Sequence, residues 1–359
     1  MDCVSETKIS TIMISFALIP CWPFFVANKI WKVSTAETNE LKEYFVGTFL
    51  RTTKKPPRLL ILDFDATDDP LHGKQEGRFF HGYHDCCCYL PLYVFCGDYL
   101  LWAQLRKSDT DGSDGALKVL QRLVKLIRHK WPLAKILVRA DSGFCRDALM
   151  NWCEANGVKY LFGLAKNRRL LKRITHTMKK ARRDWAYSGR AARRFIQFSY
   201  RTRNSWSHAR RVVGKAEYMD KGENPRFVVT NLSPQEYEAQ ELYEKLYCAR
   251  GEMENRIKEQ QLYLFADRTS SATMRANQLR LWFSSLAYMI LNELRSVGLR
   301  GTKMAEATCQ SIRLKLLKIG AHVKVSVRRV VFSMASGYPI QDLFQSVLSN
   351  LQRTYRLKC

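Results

Sequence analysis

Three aspartates close short apolar runs of the kind that form buried strands. Asp63 and Asp65 lie two residues apart in RLLILDFDAT, and Asp141 ends the run KILVRAD. Residues two apart on a strand point to the same face, and the carboxyl ends of parallel strands meet at one edge of a sheet. Carboxylates gathered at such an edge could bind a divalent cation. An aspartate after a strand is also a common turn or capping residue, so each one alone is weak evidence.

A third carboxylate lies in LYCARGEMENRIKEQQ, which has the periodicity of a helix. At about 100° per residue, one stripe of this helix carries the polar side chains Tyr247, Arg250, Glu254, Lys258 and Gln261. Glu252 lies on the opposite side. One interpretation is a solvated face with Arg250 and Glu254 as an ion pair, worth about a few tenths of a kcal/mol. The other is that Glu254 completes a set with the strand-end aspartates.

The elements that would position these residues alternate between strand and helix. After a short helix over 38–50, strand patterns occur at RLLILDFDAT, 86–97, 99–105, 135–141 and 159–165, with helical patterns at 114–129 and 146–155. Strands that alternate with helices predict parallel pairing through crossover connections. The sequence therefore predicts an α/β fold with a mixed sheet, because the runs 86–97 and 99–105 are joined by a turn and favour a meander.

The charge of the chain favours a polyanionic partner. The 359 residues include 59 Lys or Arg against 33 Asp or Glu, a net charge of +26, and 46% are hydrophobic, enough for a folded core. A nucleic acid is the leading partner, because each neutralised phosphate releases condensed counterions.

The basic residues are concentrated in one window. Between positions 166 and 215 there are 17 Lys or Arg, a single acid, and six aromatic residues that could stack on unpaired bases. We interpret 166–232 as a basic, β-rich insertion that contacts DNA rather than as a merely solvated face. The candidate contacts there are Lys166, Arg168, Arg169 and Trp206.

Two other features carry weaker predictions. Residues 11–27 are apolar and uncharged, at the lower limit for a membrane span, but they lack the basic flank of a signal sequence, so a membrane role is disfavoured. Eleven cysteines without a CxxC spacing favour free thiols over a disulfide framework. His81, His84 and Cys86 could form a soft-metal cluster, but a turn leading into a strand is the simpler interpretation.

Several motifs together resemble a known family. Five segments occur in this order: LDFDATDDPLHGKQ, LVRADSGF, GLAKNRRL, RFVVTNL and YCARGEMENRIKEQQLYLFADRTS. Together they are similar to the motifs of the group 1 DDE transposases of bacterial insertion sequences, of the insertion-sequence 1380 type. The likeness extends from about residue 32 to near residue 350. It implies a ribonuclease-H-like core, a mixed sheet with flanking helices, interrupted by a β-rich insertion and followed by a helical C-terminal part.

The resemblance also implies a domain order. It consists of an atypical or truncated N-terminal helical segment at 1–57, core at 58–165, the basic insertion at 166–232, core with the glutamate helix at 233–298, and a basic C-terminal segment at 299–359. Such transposases usually have a longer helical region ahead of the core, so we expect an N-terminal truncation. A truncated chain could instead be a catalytically idle DNA-binding product that inhibits or regulates transposition.

Carried over residue by residue, the resemblance places the catalytic, metal-binding carboxylates at Asp65, Asp141 and Glu254, with Asp63 as the competitor to Asp65. In-line attack on a phosphodiester needs an activated nucleophile, charge neutralisation and a stabilised leaving oxygen. Two Mg²⁺ ions about 3.5 to 4 Å apart, or Mn²⁺ as a substitute, provide all three. Asp65 would bind both ions, Asp141 one and Glu254 the other.

The resemblance further implies DNA contacts beside the third carboxylate. Tyr247 and Arg250 match the family's tyrosine, arginine, glutamate and lysine signature, but Gln261 stands at its lysine position, which leaves Lys258 as an alternative. The implied activity is phosphodiester hydrolysis and strand transfer at element ends. The implied partners are the double-stranded DNA of element ends and target, with a dimer in the synaptic complex, in the cytoplasm at the nucleoid.

Overall fold

The computed structural model describes residues 10–12, 37–53, 55–326, 330–335 and 337–355, so most of the apolar segment 11–27 lies outside the described residues. The chain divides into two compact units. The first unit comprises 42–257 and 267–281, and the second comprises 1–41, 258–266 and 282–359. Within the described ranges, no helix combines the length and the hydropathy of a membrane span.

As far as the structure describes it, the first half of the chain contains six consecutive strands followed by alternating helices and strands. In chain order, its elements are β1 (Ser10–Ile12), α1 (Glu37–Thr52), β2 (Leu60–Ala66), β3 (Asp69–Pro70), β4 (Phe79–His81), β5 (Cys86–Tyr89), β6 (Leu92–Cys96), β7 (Tyr99–Gln104), α2 (Ala116–Lys130), β8 (Ile136–Ala140), α3 (Asp147–Ala155) and β9 (Lys159–Leu164). A long helix and more strands follow: α4 (Arg168–Ser188), β10 (Ala192–Tyr200), β11 (Arg210–Met219), β12 (Gly222–Glu223) and β13 (Arg226–Thr230).

The second half is mostly helical. It contains α5 (Ala239–Glu241), a π-helical segment (Leu242–Tyr247), a 3-10 turn (Cys248–Arg250), α6 (Gly251–Lys258), a second π-helical segment (Glu259–Tyr263), α7 (Met274–Glu293), a third (Leu294–Gly298), α8 (Cys309–Ile312), a fourth (Arg313–Leu317), β14 (Ala321–Val325), β15 (Val330–Met334) and α9 (Gln341–Tyr355). The helical C-terminal part predicted from the sequence is therefore present.

A mixed sheet of nine strands, counted over the described residues, forms the centre of the first unit. Its order is β10-β11-β13-β9-β8-β2-β6-β7, with β12 paired to β11. β8 is parallel to both β2 and β9, and the remaining pairs are antiparallel. The prediction of an α/β fold with a mixed sheet is confirmed.

Helices cover both faces of this sheet in the first unit. On one face, side chains of α1, α2, α3 and α4 join the strands in the main core. On the other face, Leu242, Tyr243 and Leu246 pack against Leu137 of β8 and Leu161 of β9. The central strands are thus buried on both sides, which explains why they are nearly continuous apolar runs.

The basic segment 166–232, for which the sequence predicts a β-rich insertion, contains one long helix and four strands. It begins with the 21-residue helix α4, and its strands extend the central sheet because β13 pairs with β9. Leu170, Ile174 and Met178 are buried at helical spacing, so the high content of Lys and Arg conceals an ordinary amphipathic helix. Asn167 caps this helix, its side chain accepting a hydrogen bond from the backbone N–H of Leu170 at 3.0 Å.

The second unit has a small antiparallel sheet in the order β1-β15-β14. A buried ion pair, Arg295 Nη2 to Glu259 Oε2 at 2.9 Å, links two of its helical segments. The amide of Asn350 on α9 donates to the carbonyl of Gly298 at 2.9 Å. The hydrogen bond from Asn350 ties α9 to the end of the segment that follows α7.

Candidate active site

Asp65 and Asp141 occupy adjacent positions at the carboxyl ends of two parallel strands. Phe64 of β2 is paired with Ala140 of β8 in the sheet register. The residue after each of them is the aspartate, and neighbouring residues in register point to the same face. The strand-end position expected for both carboxylates is therefore the one that the fold produces.

Backbone donors hold these two carboxylates. Oδ1 of Asp65 accepts a hydrogen bond from the N–H of Ala66 at 3.0 Å. Asp141 precedes a 3-10 turn over Ser142–Phe144, and its Oδ1 accepts from the N–H of Gly143 at 2.9 Å. The main chain thus fixes one oxygen of each carboxylate, and this also fixes the direction of the second oxygen.

Asp63, the alternative first carboxylate, is engaged elsewhere. Its side chain is only 6% exposed, and both of its oxygens accept from the guanidinium of Arg139, with Nη2 to Oδ2 at 2.7 Å. The side chain of Asp65 is 15% exposed and lies nearer the strand end. The geometry therefore favours Asp65 over Asp63 as the residue that can contact a ligand.

Arg250 brings Glu254 and Asp65 to the same guanidinium. Its Nη2 donates to Oε1 of Glu254 at 2.7 Å, and its Nη1 lies 3.5 Å from Oδ2 of Asp65. The intrahelical ion pair considered from the sequence is present, and the same arginine also reaches the sheet edge. The side chain of Glu254 is 45% exposed, against 15% for Asp65.

The electrostatics of the site follow from this grouping. Burial raises the pKa of Asp65 to about 7; Arg250 opposes the rise, whereas Asp141 and Glu254 add to it. Burial also disfavours the charge of Arg250, but Asp65, Tyr247 and the other carboxylates outweigh it and raise the pKa of Arg250. The charged form of Asp65 is thus disfavoured by burial and by its two acidic neighbours, and a nearby positive charge, here Arg250, favours it.

Tyr247 approaches the turn after Asp141 very closely. A Cβ atom on Gly163 of β9 would lie 2.6 Å from the Tyr247 hydroxyl oxygen and 2.8 Å from the backbone nitrogen of Ser142. Burial raises the pKa of Tyr247, and Arg250 lowers it through its charge and a hydrogen bond. Tyr247 therefore fills the space between the strand that carries Asp141 and the arginine of the helical segment.

Two residues of the site escaped the sequence analysis. Gly163 permits the close approach of Tyr247, and a glycine inside a strand pattern is a known sign of such an approach. Arg139 is a buried charge inside the apolar strand that ends at Asp141. A charged residue among apolar ones in a buried strand was the signal that could have identified it.

The other predicted DNA contacts are on the surface, with one exception. Lys258 is exposed, and the start of α4 exposes Lys166, Arg168 and Arg169. The guanidinium carbon of Arg169 lies 5.2 Å from the ring centroid of Tyr200. These cations are accessible to a phosphate backbone.

Trp206 does not fit the stacking role predicted for it. Its residue is 4% exposed, its ring packs edge-on against Tyr200, and the guanidinium of Arg210 lies 5.6 Å from its ring centroid. A base cannot reach an indole that is buried in the core. This corrects the expectation, because interleaving with basic residues does not distinguish a core aromatic from an exposed one.

The donor set fits a hard divalent cation, which prefers carboxylate oxygens. Yet within the described part of the chain, no group of three His, Cys, Asp or Glu side chains is arranged to hold a metal ion, and this includes His81, His84 and Cys86. At the carboxylate site the guanidinium of Arg250 is paired with Glu254 and lies near Asp65. The residues present suit the ion, provided that Glu254 turns from Arg250 towards it.

A comparison with protein-family models agrees with the motifs. A family model described as transposase DDE domain group 1 matches residues 26–356. No curated protein matches the chain. Among solved structures, the chain is similar to the piggyBac transposase in a cryo-electron microscopy structure of its synaptic complex with hairpin DNA, at 10% identity and a TM-score of 0.42. The match covers 94% of this chain and 61% of that chain.

Proposed function

Because the chain belongs to the family of group 1 transposase DDE domains, we propose that it is a DNA transposase. In this proposal it hydrolyses phosphodiester bonds at the ends of an insertion sequence and transfers the freed strands to target DNA. The observation that carries the proposal is the grouping of Asp65, Asp141 and Glu254 around Arg250 at one edge of the sheet.

The carboxylates would hold two Mg²⁺ ions, with Mn²⁺ as a substitute. Bound ions supply Lewis acidity towards the phosphoryl group and make water a better nucleophile. Asp65, Asp141 and Glu254 would be the residues that hold them. The backbone hydrogen bonds to Asp65 and Asp141 orient these carboxylates before any ligand arrives, so little reorganisation is needed.

Arg250, Tyr247 and Lys258 would contact the DNA backbone next to the cut. A guanidinium matches the geometry of phosphate oxygens, so Arg250 can pair with a DNA phosphate in place of a carboxylate. Tyr247 has a hydroxyl beside the turn after Asp141, where it can donate to a phosphate oxygen. The exposed ammonium of Lys258 adds a point charge.

The flanking DNA would lie along the α4 basic face, which we define by the exposed residues Arg169, Lys172, Lys179, Lys180 and Arg183. Opposite this face, the buried side of α4 packs on β10 and β11. Its one acid, Asp184, is paired with Arg194, with Nη2 to Oδ1 at 2.9 Å. From Lys172 to Arg183 the helix rises by about 17 Å, long enough to follow several phosphates.

Two further parts of the proposal, the dimer and the cellular location, follow from the proposed reaction and not from a contact in the structure. Joining two element ends at once requires two active sites, so we place the protein as a dimer in the synaptic complex. Its substrate is chromosomal DNA, so we place it in the cytoplasm at the nucleoid.

The test measures cleavage of a DNA fragment that carries the element's inverted repeat, in Mg²⁺. D65N, D141N and E254Q should each abolish strand cleavage and leave DNA affinity within about threefold, because amides cannot replace charged ligands. E252Q is the matched control, since Glu252 is exposed on the same helix. Cleavage by all three amide variants would refute the assignment. Binding without cuts by the unaltered chain would favour the alternative, a DNA-binding product that regulates transposition.

A further inference from the structure

A buried arginine lies directly beneath the proposed site. Arg139 of β8 is 4% exposed, and it is paired in register with Asp63 of β2, which is also 4% exposed. Asp63 precedes Asp65 by two residues, and Arg139 precedes Asp141 by two. Each member of this buried pair therefore lies on the same strand face as a proposed catalytic carboxylate, one layer deeper in the sheet.

The guanidinium of Arg139 makes contacts beyond the ion pair. Its Nη1 donates to the carbonyl of Leu246, and its Nη2 lies 3.4 Å from the carbonyl of Ala249. These carbonyls belong to the π-helical segment and the 3-10 turn where the regular helical pattern is interrupted. An interrupted helix has fewer regular donors for its carbonyls, and Arg139 donates to two of them from the sheet.

The two carbonyls lie at informative positions. Leu246 directly precedes Tyr247, and Ala249 directly precedes Arg250. Glu254 follows Arg250 by four residues, about one helical turn. Arg139 thus connects the strand pair that carries two carboxylates with the helical segment that carries the third. The guanidinium of Arg139 is planar and its N–H donors have fixed directions, which also limits how far that helical segment can rotate or slide.

A buried ion pair of this kind is a poor choice for stability alone. Apolar residues of the same volume often give an equal or larger stability, because charges lose their hydration on burial. A buried, paired charge can instead specify one arrangement of packed elements. Here the arrangement is that of the helical segment against the strand ends.

We propose that the Asp63–Arg139 pair is a positioning device which sets the place of Glu254, Arg250 and Tyr247 relative to Asp65 and Asp141. The inference rests on the proposed function, since it concerns the geometry of the same site. Neither residue of the pair touches DNA or the ions. Both act through the backbone of the helical segment.

The decisive variant replaces both charges by apolar side chains of similar size, D63L with R139M. If the pair served stability alone, this double variant would keep both the Tm and the cleavage rate of the unaltered chain. We expect its Tm to stay within about five degrees and its kcat to fall about 100-fold, since a displacement of about 1 Å can have that effect. A wild-type kcat in the folded double variant overturns the proposal.

R139K is the second variant and decides the question if the double variant does not fold. A Lys ammonium keeps the charge opposite Asp63 but cannot form the fork and reach both carbonyls. We expect kcat to fall at least about tenfold, with the KM for DNA unchanged. R210K is the matched control, because Arg210 is also buried in an ion-pair network, with Asp147 and Glu154. It should lower the Tm and leave kcat unchanged.

Binding of Mn²⁺, followed by the electron paramagnetic resonance signal of the free ion, gives a readout without cleavage. We expect a Kd several-fold higher in both variants, because Glu254 is displaced. The two failures are distinguishable. If the unaltered chain neither binds Mn²⁺ nor cuts DNA, the proposed function fails. If it does both, and R139K matches it in Kd and kcat, the positioning role fails alone.

Discussion

The hydroxyl oxygen of Tyr247 lies 2.6 Å from the point that a Cβ atom on Gly163 would occupy. The same point is 2.8 Å from the backbone nitrogen of Ser142, directly after Asp141. Position 163 is therefore closed to any side chain unless the tyrosine or the turn moves. A glycine in the strand β9 thus sets the distance between the helical segment and the second carboxylate.

Gly163→Ala should damage activity more than stability. We expect a loss of about 1 to 3 kcal/mol in the free energy of unfolding from overpacking, and about 100-fold in kcat because Tyr247 and the turn are displaced. Urea unfolding and strand cleavage measure the two effects. G251A is the control, since a Cβ there meets no described atom within 4 Å. An active G163A protein would contradict this account of the site.

Removing Arg250 should improve ion binding while it impairs catalysis. Its guanidinium competes with a divalent cation for Asp65 and Glu254. In R250Q without DNA, we expect the Kd for Mn²⁺ at pH 8 to fall by about 1.5- to fivefold, the range of a partly exposed ion pair. Cleavage should still decrease, because a phosphate contact is lost.

The control for R250Q is K245Q. Lys245 is exposed in the same helical stretch and pairs with Glu241 at 3.3 Å. Its loss should leave the Kd for Mn²⁺ unchanged. Weaker Mn²⁺ binding in R250Q than in the unaltered chain would show that Arg250 supports the ions rather than competing with them.

Acid stability should depend on a buried arginine outside the site. Arg210 donates from Nη1 to Asp147 at 2.7 Å and from Nε to Glu154 at 2.8 Å. Burial alone would raise the pKa of both carboxyl groups. Hydrogen bonds from Ser207 and Arg210 outweigh it and lower the pKa of Asp147, and those from Arg210 and Tyr160 lower the pKa of Glu154.

A carboxyl group with a lowered folded pKa stabilises the fold above its unfolded pKa, about 3.9 for Asp and 4.3 for Glu. That stability is lost as the pH falls through the folded pKa. R210M should reduce the free energy of unfolding by about 3 to 5 kcal/mol at pH 7 and flatten its decline between about pH 5 and pH 2. Urea titrations at each pH test this. A decline as steep as that of the unaltered chain would contradict the pairing.

The α4 basic face should determine DNA affinity. K172Q with K179Q should weaken binding of random-sequence DNA and reduce the slope of log K against log salt by about 1.8, if both lysines contact phosphates. K118Q with K125Q on α2 is matched in charge, exposure and seven-residue spacing. Fluorescence anisotropy over a salt series measures both. If the two double variants have equal slopes of log K against log salt, DNA affinity depends on the net charge of the chain and not on the α4 basic face.

Much of the fold follows from local sequence patterns. The apolar runs that end at Asp65 and Asp141 predict the two central strands, and β2 and β8 are parallel neighbours. The stripe with Leu120, Leu123 and Ile127 predicts α2, whose side chains are buried as expected. Such patterns work because each element buries one face or both, and the period of burial is written in consecutive residues.

Residue roles that depend on partners far along the chain could not be read in the same way. Asp63 and Asp65 are the same residue type on the same strand face. Their roles differ because Asp63 is paired with Arg139, which lies 76 positions further along the chain. Trp206 sits among basic residues as a DNA-stacking aromatic would, yet the core encloses it. The sequence predicts a β-rich segment in the basic window, but only the structure shows that its strand β13 pairs with β9 and extends the central sheet.

The sequence by itself determined the strand-end carboxylates, the amphipathic helices and the excess of positive charge, because these are properties of neighbouring residues and of composition. Only the tertiary structure decided that Arg250 joins Glu254 to Asp65, that Gly163 makes room for Tyr247 and that Arg139 links strand to helix. Each of these depends on distances of a few ångströms between segments separated by tens to hundreds of residues, and no local period encodes such a distance.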